Sequence, residues 1–149
     1  MMTLDTSKPI ETSLQTVKKK WCDYNGHMNV AYYSLAFENA NFEAQEMMGM
    51  GEAYIEKDRR GLFSMKNVFT YQQEVGEGDP LRIVYRVMDY SPKLLHILLE
   101  MYHAEKGYLS CFTEQLLTCK KFFLLSKKFF KNYDFISNRT ICRVRVKFM

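Results

Sequence analysis

No stretch of this 149-residue chain approaches the roughly 20 uninterrupted apolar residues that a membrane helix needs, so no membrane span is expected. Residues Met1 to Lys8 lack the apolar run of a secretory signal, and the expectation is a cytoplasmic protein. The four cysteines, Cys22, Cys111, Cys119 and Cys142, form no Cys-x-x-Cys pair, and no histidines stand at zinc-finger intervals. That pattern excludes a disulfide framework and predicts four reduced thiols with no metal. A Gly-x-Ser-x-Gly elbow and a phosphate-binding glycine loop are also missing, which excludes the usual α/β-hydrolase and P-loop chemistries. There is no internal repeat.

Apolar residues make up 47% of the chain and aromatics 15%, enough for a packed core in one ordinary domain. The net charge of +4 is unevenly placed. Residues 1–119 hold 12 Lys and Arg against 16 Asp and Glu, a net of −4, whereas residues 120–149 hold nine against one, a net of +8. The composition shift at about residue 120 divides the chain into a domain, 1–119, and an atypical basic tail, 120–149. Such a tail can contact nucleic acid or anionic lipid, but is equally common without that role; an out-of-frame end fits the same composition. Within it, residues 141–148 alternate as a strand could.

Periodicity orders the domain. Residues 13–19 alternate loosely, as a first strand would. From Val30, apolar residues recur at spacings of three and four (Val30, Tyr33, Phe37, Ala40, Ala44, Met47, Met48), which predicts one helix face. Asn29 stands at its N-cap and Gly49 and Gly51 at its end. A short helix over residues 53–60 would stop at Gly61. Beyond it the period becomes two, with Phe63, Met65, Phe69, Tyr71 and Val75 expected on one face. Gly76-Glu-Gly-Asp-Pro80 reads as a turn, and three more strands follow, for a meander of four. One long helix against a curled antiparallel sheet is an α+β arrangement of the hotdog kind. One helix cannot satisfy the edges of such a sheet, so a homodimer or homotetramer is expected.

The loop before the helix carries the candidate chemistry. In Asp23-x-Asn25-x-His27-x-Asn29, polar side chains at alternate positions lead into a helix start whose first N–H groups, near Val30 and Ala31, lack partners and carry the positive end of the dipole. That geometry suits a developing oxyanion. Asp23 supplies a carboxylate to activate water or attack directly, Asn25 an amide to orient it, and His27 a group that titrates near neutrality. Spacing alone favours an ordinary Asx-rich turn, with Asn29 a simple cap and His27 hydrogen-bonded at the surface.

The segment Trp21-Cys-Asp-Tyr-Asn-Gly-His-Met-Asn-Val-Ala-Tyr-Tyr33 resembles the signature of hotdog acyl-CoA thioesterases of the 4-hydroxybenzoyl-CoA thioesterase superfamily, and most of all the betainyl-CoA thioesterase group. The resemblance continues in Thr70-Tyr-Gln-Gln-Glu-Val75, Gly78-Asp-Pro-Leu-Arg82, Lys93-Leu-Leu-His96, Met101-Tyr-His-Ala104 and Thr113-Glu-Gln115, over about residues 13–118. It implies hydrolysis of a small or short-chain acyl-CoA, without metal or redox cofactor. In it Asp23 acts as base or nucleophile, Asn25 and His27 assist, and the Val30 N–H polarises the thioester carbonyl. Asn29, Tyr32 and Tyr33 are expected to bind substrate, with an aromatic cage as one use of the tyrosines. The family also employs an acidic or cysteine residue from another strand, which the sequence does not place. It normally continues past Thr118 into a final strand, where this chain has Cys119-Lys-Lys-Phe. A hotdog enoyl-CoA hydratase is the enzymatic alternative, although its loop carries an extra residue and a proline absent here; a non-catalytic acyl-CoA-binding protein is the other. Cys22 is expected to be buried rather than nucleophilic. Lys18 to Lys20, Arg82 and Arg86 could meet the phosphates of coenzyme A or be solvated strand faces. His96 and His103 read as structural.

Overall fold

The computed structural model describes residues 8–58 and 61–119. The tail at 120–149, with its alternating 141–148 segment, lies outside the described residues. The elements are β1 (Ile10–Glu11), β2 (Gln15–Thr16), a 3-10 turn (Lys19–Trp21), α1 (Val30–Met47), α2 (Glu52–Asp58), β3 (Leu62–Tyr71), β4 (Pro80–Tyr90), β5 (Leu94–His103) and β6 (Leu109–Cys119). The described strands form one antiparallel sheet in the order β1-β4-β5-β6-β3, with β2 also on β4. The hotdog arrangement of a curled sheet on one long helix is therefore present.

Helix α1 runs from its Asn29 cap, whose side chain accepts the Ala31 N–H, to Gly49, where φ is 74°. Only glycine takes that left-handed conformation without cost, so the helix stops there. Its buried face is Tyr33, Ala36, Phe37, Ala40, Asn41, Ala44 and Gln45. Ala36, Ala40 and Ala44 recur every fourth residue and are fully buried, so the helix backbone approaches the sheet closely. Phe37 fills the gap between them, tilted against Phe69 at 6.1 Å, over a floor of Ile83, Tyr85, Ile97 and Leu99.

Several expectations are corrected. Val30 and Met47, expected on the buried face, are 59% and 44% exposed, because they sit at the helix ends. Of the first strand expected over residues 13–19, only Gln15–Thr16 is strand; β1 precedes the segment and the 3-10 turn begins at Lys19. The four-strand meander holds only for β4, β5 and β6. Strand β3 pairs with β6 and ends the sheet, so the segment after it crosses back to start β4. The strict alternation foreseen for β3 is broken by a bulge between Ser64 and Lys66, and a bulge turns the strand. Phe63, Met65, Val68 and Tyr71 are left exposed on this edge strand.

Candidate active site

The loop between the 3-10 turn and α1 folds as its residues dictate. The Asp23 carboxylate accepts the Asn25 N–H at 2.8 Å, which makes an Asx turn, and the Gly26 N–H returns to the Asp23 carbonyl at 3.0 Å. Gly26 has φ of 86°, a conformation the turn requires and a side chain would resist. The chain then doubles back: the Asp23 N–H meets the His27 carbonyl at 3.2 Å, Cys22 pairs with Met28, and the Asn29 N–H meets the Trp21 carbonyl at 2.8 Å. A second clamp ties the loop to the segment after β3, through Met28 N–H to the Val75 carbonyl at 2.8 Å and the pairing of His27 with Gly76.

A cleft of about 390 Å³ opens between that loop, the start of α1 and the end of β3. Asp23, His27, Asn29, Val30 and Tyr33 line one side. Tyr71, Gln72, Gln73 and Glu74 form the other, brought there by the pairing of β3 with β6. Tyr33 and Tyr71 meet edge to face at 5.1 Å. Burial pushes the hydroxyl pKa of both tyrosines up, so they stay neutral.

Asn29 joins the helix cap to the acid. Its Oδ1 accepts the Ala31 N–H at 3.0 Å, and its Nδ2 donates to Asp23 Oδ2 at 3.3 Å. Asn29 thus holds Asp23 rather than presenting a free amide to a ligand. The Asn25 main-chain N–H does most to keep the Asp23 carboxyl below its ordinary pKa; desolvation opposes it, and the Asn29 side chain and the nearby His27 add to the lowering. Asp23 is accordingly a carboxylate at neutral pH. At the helix start, Ala31 N–H is taken by the Asn29 side chain and Tyr32 N–H by the Asn29 carbonyl at 2.9 Å. That leaves the Val30 N–H without a partner among the described residues, at the positive end of an 18-residue helix. His27 Nε2 lies 3.8 Å from a carboxylate oxygen of Glu74 across the cleft mouth.

Two residues named from the sequence lie apart from this wall. The Asn25 side chain is exposed, and its main chain does the holding. Tyr32 stacks on Trp21 at 5.8 Å, on the other side of the helix start. Glu74 is an acidic residue from another segment, of the kind the local motif could not place. Its only sequence signal is position within Thr70-Tyr-Gln-Gln-Glu-Val75. Cys22 is half-buried, and burial, then the Glu77 and Asp23 carboxylates, push its thiol pKa up, which disfavours a nucleophilic thiolate. Arg82 is held by Glu11 at 3.2 Å and lies over Tyr102 at 4.7 Å, while Arg86 is held by Glu100 at 2.8 Å. Neither arginine lines the cleft.

Replacing Asn29 by alanine is expected to cost about 0.5–2 kcal/mol through the lost cap, read by denaturant titration. It also removes one of the bonds that depress the Asp23 pKa. A carboxyl depressed in the folded state contributes stability above its unfolded pKa and loses that contribution as pH falls through the folded value. In Asn29→Ala the folded value rises, so any activity that requires the carboxylate fails at a higher pH on the acid side than in wild type. An unmoved acid limb would sever Asn29 from Asp23.

The site and fold define a thioesterase-type hotdog, and comparison with known proteins agrees. The thioesterase-like superfamily model matches residues 17–122, and the chain belongs to that family of enzymes. It is 27% identical over 111 residues to a betainyl-CoA thioesterase of Pseudomonas aeruginosa, covering 74% of this chain and 70% of that protein. It is 30% identical over 104 residues to an L-carnitine dehydrogenase/betainyl-CoA thioesterase of Ruegeria pomeroyi, covering 70% of this chain but only 21% of that longer protein. A protein of Staphylococcus aureus solved in complex with CoA shares the fold at TM-score 0.76 and 22% identity, over 87% of this chain and 84% of that one. Among the described residues no helix is long and apolar enough to cross a membrane.

Proposed function

We propose that the chain hydrolyses a small acyl-CoA thioester, betainyl-CoA foremost, to the free acid and CoA. The observation that carries this reading is an anchored, ionised Asp23 in the same cleft as the unpartnered Val30 N–H at the helix start. In the reaction the thioester carbonyl oxygen takes the Val30 N–H. Asp23 draws a proton from water as the water oxygen adds to the carbonyl carbon, or adds directly to give an anhydride that water then opens. Either way the carbon–sulfur bond breaks, the thiolate of CoA leaves, and one water is consumed. Negative charge grows on the carbonyl oxygen as the carbon becomes tetrahedral, which is where a fixed donor at a helix N-terminus helps most. His27 positions the reacting groups, and the scheme asks for no metal or redox cofactor.

The acyl end is read from the cleft's charge. Among the described residues its lining holds two carboxylates, Asp23 and Glu74, and two tyrosine rings, but no lysine or arginine. That surface attracts a quaternary ammonium, and two relatives are named for betainyl-CoA. The assembly belongs to the same proposal. Strand β3 ends the described sheet with Phe63, Met65, Val68 and Tyr71 exposed, and a second copy, in a homodimer or homotetramer, would cover that edge.

Thiol release from betainyl-CoA and from its uncharged isostere, 3,3-dimethylbutanoyl-CoA, tests the reading. A desolvated cation–π contact is worth up to about 2 kcal/mol, so kcat/KM should favour the cationic substrate by about tenfold or more. Equal rates would remove the cation preference and keep the hydrolase; release from neither would remove both.

A further inference from the structure

His103, at the end of β5, is 1% exposed and takes no part in the cleft lining. Its Nδ1 accepts two main-chain N–H groups, from Glu105 at 3.3 Å and Lys106 at 3.1 Å. The ring proton of the neutral imidazole must then sit on Nε2. That atom lies 3.4 Å from Asp79 Oδ1, a contact too poorly aligned to be a formed hydrogen bond, and has no other partner among the described residues. A buried donor without a bond calls for an explanation.

The surroundings supply one. The other Asp79 oxygen, Oδ2, accepts the Gly76 N–H at 2.8 Å. The His103 ring also lies 5.2 Å from that of Tyr108, whose hydroxyl donates to the Glu74 carbonyl at 3.1 Å. Residues 74–76 are the strap that supplies Glu74 to the cleft and clamps the Asp23 loop, through the Val75 carbonyl to Met28 and Gly76 to His27. The Asp79 carboxylate therefore stands between the buried ring and the strap, with Tyr108 packed beside it.

We propose that His103 is a positioning residue for the thioesterase reaction: its Nε2 proton closes on Asp79 Oδ1, 3.4 Å away, and so fixes the strap at 74–76, and through the strap the loop that carries Asp23 and His27. It touches no substrate. The inference rests on the hydrolase reading for its kinetic effect, but its structural part stands independently of any substrate. A displacement of about 1 Å in catalytic geometry can cost about a hundredfold in rate, so small movements of the strap matter.

Two isosteres separate this role from a merely structural one. In His103→Asn the side-chain oxygen falls two bonds from Cβ, like Nδ1, so the contacts with Glu105 and Lys106 persist while the link to Asp79 is lost. In His103→Gln the amide nitrogen falls three bonds from Cβ, like Nε2, and can donate to Asp79 while the Nδ1 contacts are lost. The expected result is a fall in kcat of about 10- to 100-fold in His103→Asn with KM within about threefold, and near-wild-type kcat in His103→Gln. Amide hydrogen exchange gives a readout without substrate: Gly76 and Met28 should exchange at least about tenfold faster in His103→Asn and be unchanged in His103→Gln. The reverse ranking, or equal losses in both, would make His103 a prop for the Glu105–Lys106 turn and overturn the proposal. If either His103 variant fails to fold, Asp79→Asn decides. It keeps an oxygen for Gly76 but turns an NH2 group toward the Nε2 proton, and should reproduce the His103→Asn pattern; wild-type exchange at Gly76 and Met28 would refute it. An inert wild type with the expected exchange pattern would remove the hydrolase reading and leave this one standing.

Discussion

Asp23→Asn is expected to lower kcat for acyl-CoA hydrolysis by about a hundredfold to ten-thousandfold, the range associated with a positioned general base. The substitution is nearly isosteric, and the Asx turn survives it, because an asparagine oxygen can accept the Asn25 N–H as the carboxylate oxygen does. What is lost is the negative charge, and with it the ability to take a proton from water or to form an anhydride. The variant should fold, keep its oligomeric state and, with an uncharged acyl-CoA, show a KM near that of wild type, so that with this substrate the loss falls on kcat. This split matters because a variant that weakened both terms would point to a disturbed cleft instead. Thiol release under saturating substrate, with size-exclusion chromatography on the same sample, reads both quantities. Retention of more than about a tenth of wild-type kcat would move the chemistry away from Asp23.

Phe37→Ala is expected to produce the largest loss of stability, about 3–5 kcal/mol by denaturant unfolding, as for other buried phenylalanines. Phe37 is fully buried between the alanine face of α1 and the sheet, and touches Phe69. Its neighbours Ala36 and Ala40 are too small to move into the space, and the helix backbone already lies close to the strands. The cavity therefore stays open, which is the condition under which such a change costs most. Because domains are commonly stable by only about 5–15 kcal/mol, the variant should be marginally folded at 37 °C. A cost below about 1.5 kcal/mol would mean that α1 does not pack on the sheet as described.

The elements that could be read from sequence are those whose signals are local. Asn29 and Gly49 bracket α1 because capping and left-handed termination act within a turn of the chain. Strands β4, β5 and β6 were legible from alternation, with Leu81, Ile83 and Tyr85 on the core side and Arg82 and Arg86 on the other. Which strands pair was not legible: alternation says which way residues face, never who the neighbour is, and β3 went to β6 instead of β4. The same distinction governs the cleft. Asp23, His27, Asn29 and Val30 are neighbours in sequence, so one motif points to all of them. Tyr71 and Glu74 reach the cleft through long-range pairing, and nothing near Asp23 in the sequence names them. Alternation also misplaces side chains inside tight turns. The Asx turn uses the main chain of Asn25 and leaves its side chain outside, and Tyr32 turns to stack on Trp21. Ala36 and Gln45 escaped notice on α1 because small and polar residues carry little weight in a hydrophobic pattern, although both are buried.

The account depends most on whether the purified full chain releases thiol from acyl-CoA. The direct measurement is the initial rate of free-thiol appearance over a panel of small acyl-CoAs that includes betainyl-CoA, with crotonyl-CoA hydration followed in parallel. The account predicts thiol release that saturates with substrate, is greatest for a small cationic acyl group, and is accompanied by no hydration. A folded protein that leaves every thioester intact would contradict it, and one that hydrates crotonyl-CoA without releasing thiol would replace it with a hydratase.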